Sequence, residues 1–304
     1  MKKTPSAGPV CPRPLFTLCI LLTAFLASAC GGSGPPAGNA PANRETGAAG
    51  TEAAGAEASP AHPDFRLSRE DLLRLAGGHS PDIAASVRAR PKEFLDLAAG
   101  VLDLPQDLLV LVDKKNPLPE AYEPEDLRPL RELPIPISRP GLQFRQAAIP
   151  ALLDMAEAAR REGVELLASS TYRSFSYQKT VYERNVRELG REQADRESAR
   201  PGHSQHQLGT AVDFGSISDA FTGTRMQKWL LANAGKFGFS LSYPEGAEEL
   251  TGYRHESWHY RYIGPAAAEM EREFFGGLQQ RFLEFWKIAG PVLRAARRGP
   301  EKTT

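Results

Sequence analysis

Two halves of a single metal-binding set stand far apart in this sequence, and any fold the chain adopts must bring them together. Ser204-x-His206-x-x-Gly209-x-Ala211-x-Asp213 supplies the first half, and Glu256-x-Trp258-His259 the second. A third cluster, Tyr172-Arg173-Ser174, precedes both. Two imidazoles and one carboxylate from these clusters can give a zinc ion three ligands and leave its fourth position for water. Glu256 stands beside them to take that water's proton. An open three-ligand site with a carboxylate at hand is the equipment of a hydrolase.

The spacing says how each half is built. His206 and Asp213 are too far apart for one helical turn and mark the two ends of a loop-to-strand passage. Gly209 allows a close backbone turn between them, and Ala211 keeps the space beside the ion small. Asp213 then points from one face of the strand and Phe214 from the other. Glu256 and His259 would face opposite ways on a regular strand. Either the backbone bends near Ser257, or Glu256 lies on the loop before the strand. A lone His–Asp pair is most often a structural hydrogen bond, and an acid three residues before a His is common. The joint pattern, with Ser204, Gly209, Ala211 and Trp258 at fixed places, is specific.

Composition narrows the partners. Lys+Arg and Asp+Glu number 37 each, so the net charge is zero, and no basic stripe alternates with aromatics. Nucleic-acid binding is therefore not expected. All three cysteines (Cys11, Cys19 and Cys30) lie at the N-terminus, so any metal downstream must be held by His and carboxylate.

That N-terminus reads as an export signal. Lys2, Lys3 and Arg13 precede an apolar stretch from Leu15 to Leu26, too short for a transmembrane helix of roughly 20 residues. Ala27-Ser28-Ala29 before Cys30, with Gly31-Gly32-Ser33-Gly34 after it, resembles a bacterial lipoprotein signal. Ala27 stands where such signals usually carry Leu, with Leu26 one place further back. The resemblance implies that Cys30 becomes the lipidated first residue and holds the chain on a membrane, each buried CH₂ contributing about 0.8 kcal/mol. Residues 31–62 are Gly, Ala, Pro, Ser and Glu with almost no large apolar side chain. They read as a disordered tether.

The expected layout is a signal over 1–30, the tether over 31–62, a helical extension over 63–107, a domain carrying the metal site over 108–290 and a basic tail over 291–304. Ser68 with Asp71 predicts a capped helix through Leu72, Leu73 and Leu75 that stops at Gly77-Gly78, and a second helix follows Pro91. Leu108 to Val112 has strand character, and the Pro-rich residues 114–140 predict an extended, ordered surface loop. Helices are expected over 145–161, 177–189, 225–237 and from Pro265 to about Ile288. Pro150 marks a kink or a start in the first of these. Strands are expected over 164–170, 208–214, 239–243 and 258–263. Helices packed on a small, mainly antiparallel sheet, with the metal site at the sheet, make an α+β fold. Arg294, Arg297 and Arg298 read as a solvated end.

The Ser204-to-Asp213 motif followed by Glu256-x-Trp258-His259 is similar to that of the VanY-type D-alanyl-D-alanine carboxypeptidases and the related L-alanyl-D-glutamate endopeptidases. These are zinc peptidases of bacterial cell walls with an α+β fold. The resemblance runs from about Leu109 to Pro265. It takes in Lys115-Asn116-x-Leu118-Pro119-x-x-Tyr122, Tyr172-Arg173-Ser174 with Gln178, and Phe237-Gly238-Phe239. It implies one zinc per chain on His206, Asp213 and His259, Glu256 as general base and then acid, and Arg173 at the oxyanion. It implies further that Ser204 and Gln178 hold the substrate's terminal residue or carboxylate. Trp258 is expected to wall the metal from behind. His255 departs from an often aromatic position and His203 fills a variable one; each is read as a bystander or a support behind the ligands. His62 and His79 are expected at the surface.

The implied substrate is the peptidoglycan stem peptide, cut at its terminal D-Ala-D-Ala amide, with a cut deeper in the stem as the alternative. A wall-binding lipoprotein that kept the fold without catalysis is opposed by the intact ligand set and Glu256. The expected enzyme is an exported monomer of the cell envelope.

Overall fold

The computed structural model describes residues 60–298, so the expected signal, Cys30 and most of the tether lie outside the described residues. The described residues begin inside the expected tether, where β1 (Pro60–His62) pairs antiparallel with β2 (Phe65–Ser68). Ser68 then caps α1 (Arg69–Gly77). Its hydroxyl accepts from the Asp71 N–H at 3.0 Å and donates to the Asp71 carboxylate at 2.7 Å. An unanticipated helix, α2 (Pro81–Ala89), follows, and then α3 (Pro91–Asp103), each with a proline in its first turn.

Leu108 to Val112 is not a strand. A short 3₁₀ turn covers Gln106–Leu109. The carbonyls of Leu108 and Val110 instead accept from the buried guanidinium of Arg261, at 2.8 Å each. A long side chain takes the place of a neighbouring strand. The Pro-rich stretch also contributes β3 (Leu127–Pro129), which pairs with β4 (Gln143–Arg145). Helix α4 (Ile149–Arg161) starts, and does not kink, at Pro150, and buries Leu152, Met155 and Ala159 as expected.

Next come β5 (Ala168–Ser170), α5 (Phe175–Leu189), α6 (Arg191–Glu197), β6 (Ala211–Phe214), α7 (Arg225–Asn233) and β7 (Phe239–Leu241). The chain continues through α8 (Glu248–Thr251), β8 (His259–Tyr262), α9 (Pro265–Phe274) and α10 (Gln279–Ala296). All four strands are shorter than expected: Val164 to Leu167 is irregular, Leu208 belongs to the 3₁₀ turn Gln205–Leu208, β7 stops at Leu241, and β8 runs only from His259 to Tyr262. The single C-terminal helix of the sequence reading is broken in two. Gly276 and Gly277, both at positive φ (65° and 68°), end α9 before α10 starts. Helix α10 then runs through Pro291 to Ala296, past the expected limit at 290. Arg297 is not solvated tail either: it pairs with Asp103 at 2.6 Å.

The main sheet has strand order β5-β6-β8-β7 with every neighbouring pair antiparallel, which makes the fold α+β as expected. Val212, Phe214, Tyr260 and Tyr262 face one side and pack against α4 and α7. Alternation sends Ala211, Asp213, His259 and Arg261 to the other. A second apolar core joins α1, α2 and α3 to α9 and α10, so the N-terminal helices and the C-terminal ones form a single helical lobe.

Candidate metal centre and active site

Strand register assembles the two halves of the motif. Asp213 of β6 lies directly opposite His259 of β8, which puts both side chains on one face, close together. His206 arrives from the 3₁₀ turn before β6, reversed by Gly209 at φ 71°. A Cβ on Gly209 would sit 2.9 Å from Arg145 Cγ and Leu127 Cδ2, so only glycine lets the turn close.

One ligand atom from each of His206, Asp213 and His259 falls within 4.8 Å of the other two, with all three residues buried. His206 Nε2 is 3.2 Å from Asp213 Oδ2, and His259 Nδ1 is 3.0 Å from Asp213 Oδ1. Ligands about 2.0–2.2 Å from a tetrahedral zinc lie about 3.3 Å from each other, and each imidazole nitrogen stands at about that distance from one oxygen of Asp213. His206 Nε2 and Asp213 Oδ1 are buried without a hydrogen-bond partner, an arrangement that costs free energy unless something binds them. The His206 ring is oriented by its other nitrogen, Nδ1, 2.7 Å from the Thr171 carbonyl, which leaves a lone pair on Nε2. Burial, reinforced by Arg173, pushes the His206 pKa down to about 4, so the ring is neutral at pH 7. Burial alone would raise Asp213, but His206 and His259 hold it well below the usual carboxylate range. Two imidazoles and a carboxylate are a donor set that suits zinc.

Glu256 lies on the loop before β8, the second of the two geometries the sequence allowed, and a turn at Ser257 and Trp258 separates it from His259. Its Oε2 is 3.5 Å from His259 Nδ1. Burial, with Asp213 adding to it and His259 working against it, pushes the Glu256 carboxyl up to about 7. A carboxyl poised near neutrality beside a metal triangle can both take and return a proton. Arg173 reaches the same place from the segment after β5. Its guanidinium donates to Gln178 Oε1 at 2.9 Å and lies 3.8 Å from Asp213 Oδ2. Arg173, Asp213, Glu256 and Trp258 open together onto a cleft of about 340 Å³.

The model of the VanY family, described as D-alanyl-D-alanine carboxypeptidase, matches residues 141–265. The chain is 38% identical over 191 residues to YodJ of Bacillus subtilis, whose name calls it a carboxypeptidase. That match covers 60% of this chain and 70% of the relative. It is 36% identical over 171 residues to a D-alanyl-D-alanine carboxypeptidase of Enterococcus faecalis, covering 53% of this chain and 60% of that one. The chain belongs to the VanY family. Solved structures agree. The LdcB LD-carboxypeptidase matches with a TM-score of 0.53 and 35% identity over 60% of this chain and 86% of that one. A vancomycin-resistance D,D-pentapeptidase VanY in complex with Zn(II) matches with a TM-score of 0.50 and 33% identity over 58% of this chain and 99% of that one. The enzyme class and the zinc cofactor expected from the motifs therefore stand.

Ser204 and Gln178, which the VanY resemblance assigned to the substrate, each have a protein partner, and neither, like His206 and His259, is among the side chains lining the cleft. Ser204 caps the 3₁₀ turn, accepting from the His206 N–H at 3.3 Å. Gln178 is buried between Arg173 and the Ala199 carbonyl, to which its amide donates at 2.6 Å. The cleft is lined instead by Tyr177, Arg184, Ser198 and Arg254, which the motif did not flag. They come from α5, the segment after α6 and the loop before β8, so only the folded chain collects them. Trp258 walls the cleft and packs into the sheet core as expected. His203 and His255 bond main-chain carbonyls, of Asp113 at 2.8 Å and Tyr243 at 2.9 Å, and stand outside the ligand set. His62 is not at the surface. It is buried, 2.8 Å from Asp96, and His79 is partly covered with its ring edge-on to Phe285.

Proposed function

We propose that this VanY-family chain is a zinc-dependent carboxypeptidase that removes the terminal D-alanine from peptidoglycan stem peptides ending in D-Ala-D-Ala. The observation that carries the reading is the triangle of His206, Asp213 and His259 with Glu256 beside it, Asp213 and Glu256 opening onto the cleft. His206 Nε2, a carboxylate oxygen of Asp213 and His259 Nδ1 would hold the ion. Zinc in such a site lowers the pKa of a water to about 7 and polarises a carbonyl. Glu256 accepts the proton of the attacking water and returns it to the departing amine. Arg173, held by Gln178, faces the carbonyl oxygen and favours the negative charge that grows there. Arg139, Arg184 and Arg254 along the cleft suit a substrate that ends in a carboxylate. One solved relative, VanYB, is in complex with D-alanine-D-alanine, which supports the choice of bond.

The test is a Glu256→Gln substitution. The variant should keep one zinc per chain, read by metal analysis, while hydrolysis of a pentapeptide stem falls by about 10²–10⁴-fold. Activity equal to wild type would remove Glu256 from the mechanism. Product mass fixes the bond: loss of one alanine from the pentapeptide is the expected result. A cut inside the stem would mean an endopeptidase, and a cut only in the tetrapeptide an L,D-carboxypeptidase. The same reading places the enzyme outside the cytoplasmic membrane, anchored through Cys30. Cell fractionation should recover wild type with membranes and Cys30→Ala without them; equal distribution of the two would remove the anchor.

A further inference from the structure

His259 can offer Nδ1 to a metal only if its ring proton sits on Nε2. That nitrogen is 3.3 Å from Gln205 Oε1. Gln205 Oε1 also accepts from the Ser242 hydroxyl at 2.7 Å, and the Gln205 amide nitrogen donates to Gln279 Oε1 at 3.1 Å. The Gln279 amide nitrogen in turn donates to the Ser240 carbonyl at 3.4 Å. Gln205, Ser240, Ser242, His259 and Gln279 are all buried, so water does not compete for these groups.

The Ser242 hydroxyl can donate to the oxygen of either glutamine, 3.2 Å away in the case of Gln279, and the Ser240 carbonyl orients the rest of the chain. The Ser240 carbonyl can only accept, so the nitrogen end of Gln279 must face it. The oxygen of Gln279 then faces Gln205 and draws that residue's nitrogen. Gln205 is left with its oxygen toward His259, and His259 Nε2 can only donate. A main-chain carbonyl two side chains away thereby sets the tautomer of the ring. Gln279 is the first residue of α10, delivered there by the break at Gly276 and Gly277. Its neighbour Gln280 pins the same helix end by donating to Asp113 Oδ2 at 2.8 Å.

We propose that Gln279 is a positioning residue for the metal centre, by which the helical lobe fixes the orientation and tautomer of His259 through Gln205. The inference rests on the reading of His259 as a zinc ligand. It gives the C-terminal helix, which lies outside the matched family segment, a part in building the site.

The experiment measures zinc affinity of the purified protein by competition with a chelator, with the melting temperature of the metal-free form alongside. Gln279→Met keeps the length of the side chain and removes both of its hydrogen-bonding groups. Its zinc affinity should fall by about 10–100-fold, as for other partners of metal-bound histidines. Gln279→Glu keeps an acceptor toward the Gln205 amide and should restore most of the loss. An affinity for Gln279→Met within about twofold of wild type overturns the proposal, whatever the activity. Should Gln279→Met not fold, nitrogen NMR of metal-free wild type decides: a His259 proton on Nε2 supports the proposal, and one on Nδ1 overturns it. His259→Ala separates the two levels of inference. If it binds zinc as wild type does, the ligand assignment itself fails, independently of Gln279.

Discussion

The two cores of this protein differ in what they bury. The helical lobe packs Phe94, Phe274, Phe275, Phe282, Phe285 and Trp286 against one another, with ring centroids 5.1–5.9 Å apart, in a core built on aromatic and aliphatic side chains. The sheet turns one face to a similar core but spends the other on Asp213, His259 and Arg261, with His206 nearby. Buried polar groups cost free energy unless they are paired, and His206, Asp213 and Arg261 each keep a buried polar atom without a partner. Apolar burial contributes stability without any demand on geometry, whereas the metal triangle demands geometry and contributes none until an ion binds. The lobe without chemistry therefore supplies rigidity to the lobe with it. The link is physical: Glu271 of α9 accepts from the Ser240 hydroxyl of β7 at 2.9 Å, and α10 carries Gln279 to the back of the site.

The strongest way to break that comparison is Phe285→Ala. Phe285 is almost fully buried and touches Phe94, Phe275 and His79 by ring contacts. Its loss should destabilise the protein by about 3–5 kcal/mol. At roughly 2–4 °C per kcal/mol, that is a fall of about 6–20 °C in melting temperature. Calorimetry should show a single transition, with zinc released in it, because the two lobes share α9, α10 and the Gln279 contact. Two separated transitions, the sheet lobe keeping its zinc through the first, would show that the lobes stand independently.

This division also explains what the sequence revealed. The metal triangle was legible because each ligand sits in a short motif whose spacing is set by local backbone: a 3₁₀ turn, Gly209 and a strand. The capped helix at Ser68 and the stop at Gly238 were legible for the same reason. What was hidden depends on contacts distant in sequence. Leu108 to Val112 has the side chains of a strand, but Arg261, about 150 residues away, takes its carbonyls. Apolar spacing from Met270 to Phe282 predicted one helix, since Phe282 keeps the register across a break made by two glycines. Ser204 and Gln178 carry groups suited to a substrate, and only the folded geometry shows that each also has a protein partner.

Glu271 sharpens the comparison from the boundary between the lobes. It belongs to α9 but points at the sheet, accepting from the Ser240 hydroxyl at 2.9 Å, while its Oε2 is buried with no partner. Burial pushes its pKa from the ordinary 4.5 up to about 8, against a smaller opposite effect of the Ser240 bond. The folded protein thus binds this proton more tightly than the unfolded chain does. Below about pH 4.5 the group is protonated in both states and costs nothing. As pH rises from there toward 8, stability falls by up to about 1.4 kcal/mol per pH unit, and above 8 the loss is complete. Glu271→Gln removes this dependence, so the variant should match wild type near pH 4.5 and be more stable near pH 8. Urea unfolding midpoints of both proteins across that range are the measurement. Parallel curves would mean that Glu271 is already charged and compensated in the folded state. A gap widening with pH would show that the boundary carries the same cost of buried polarity as the metal face, with no ion to relieve it.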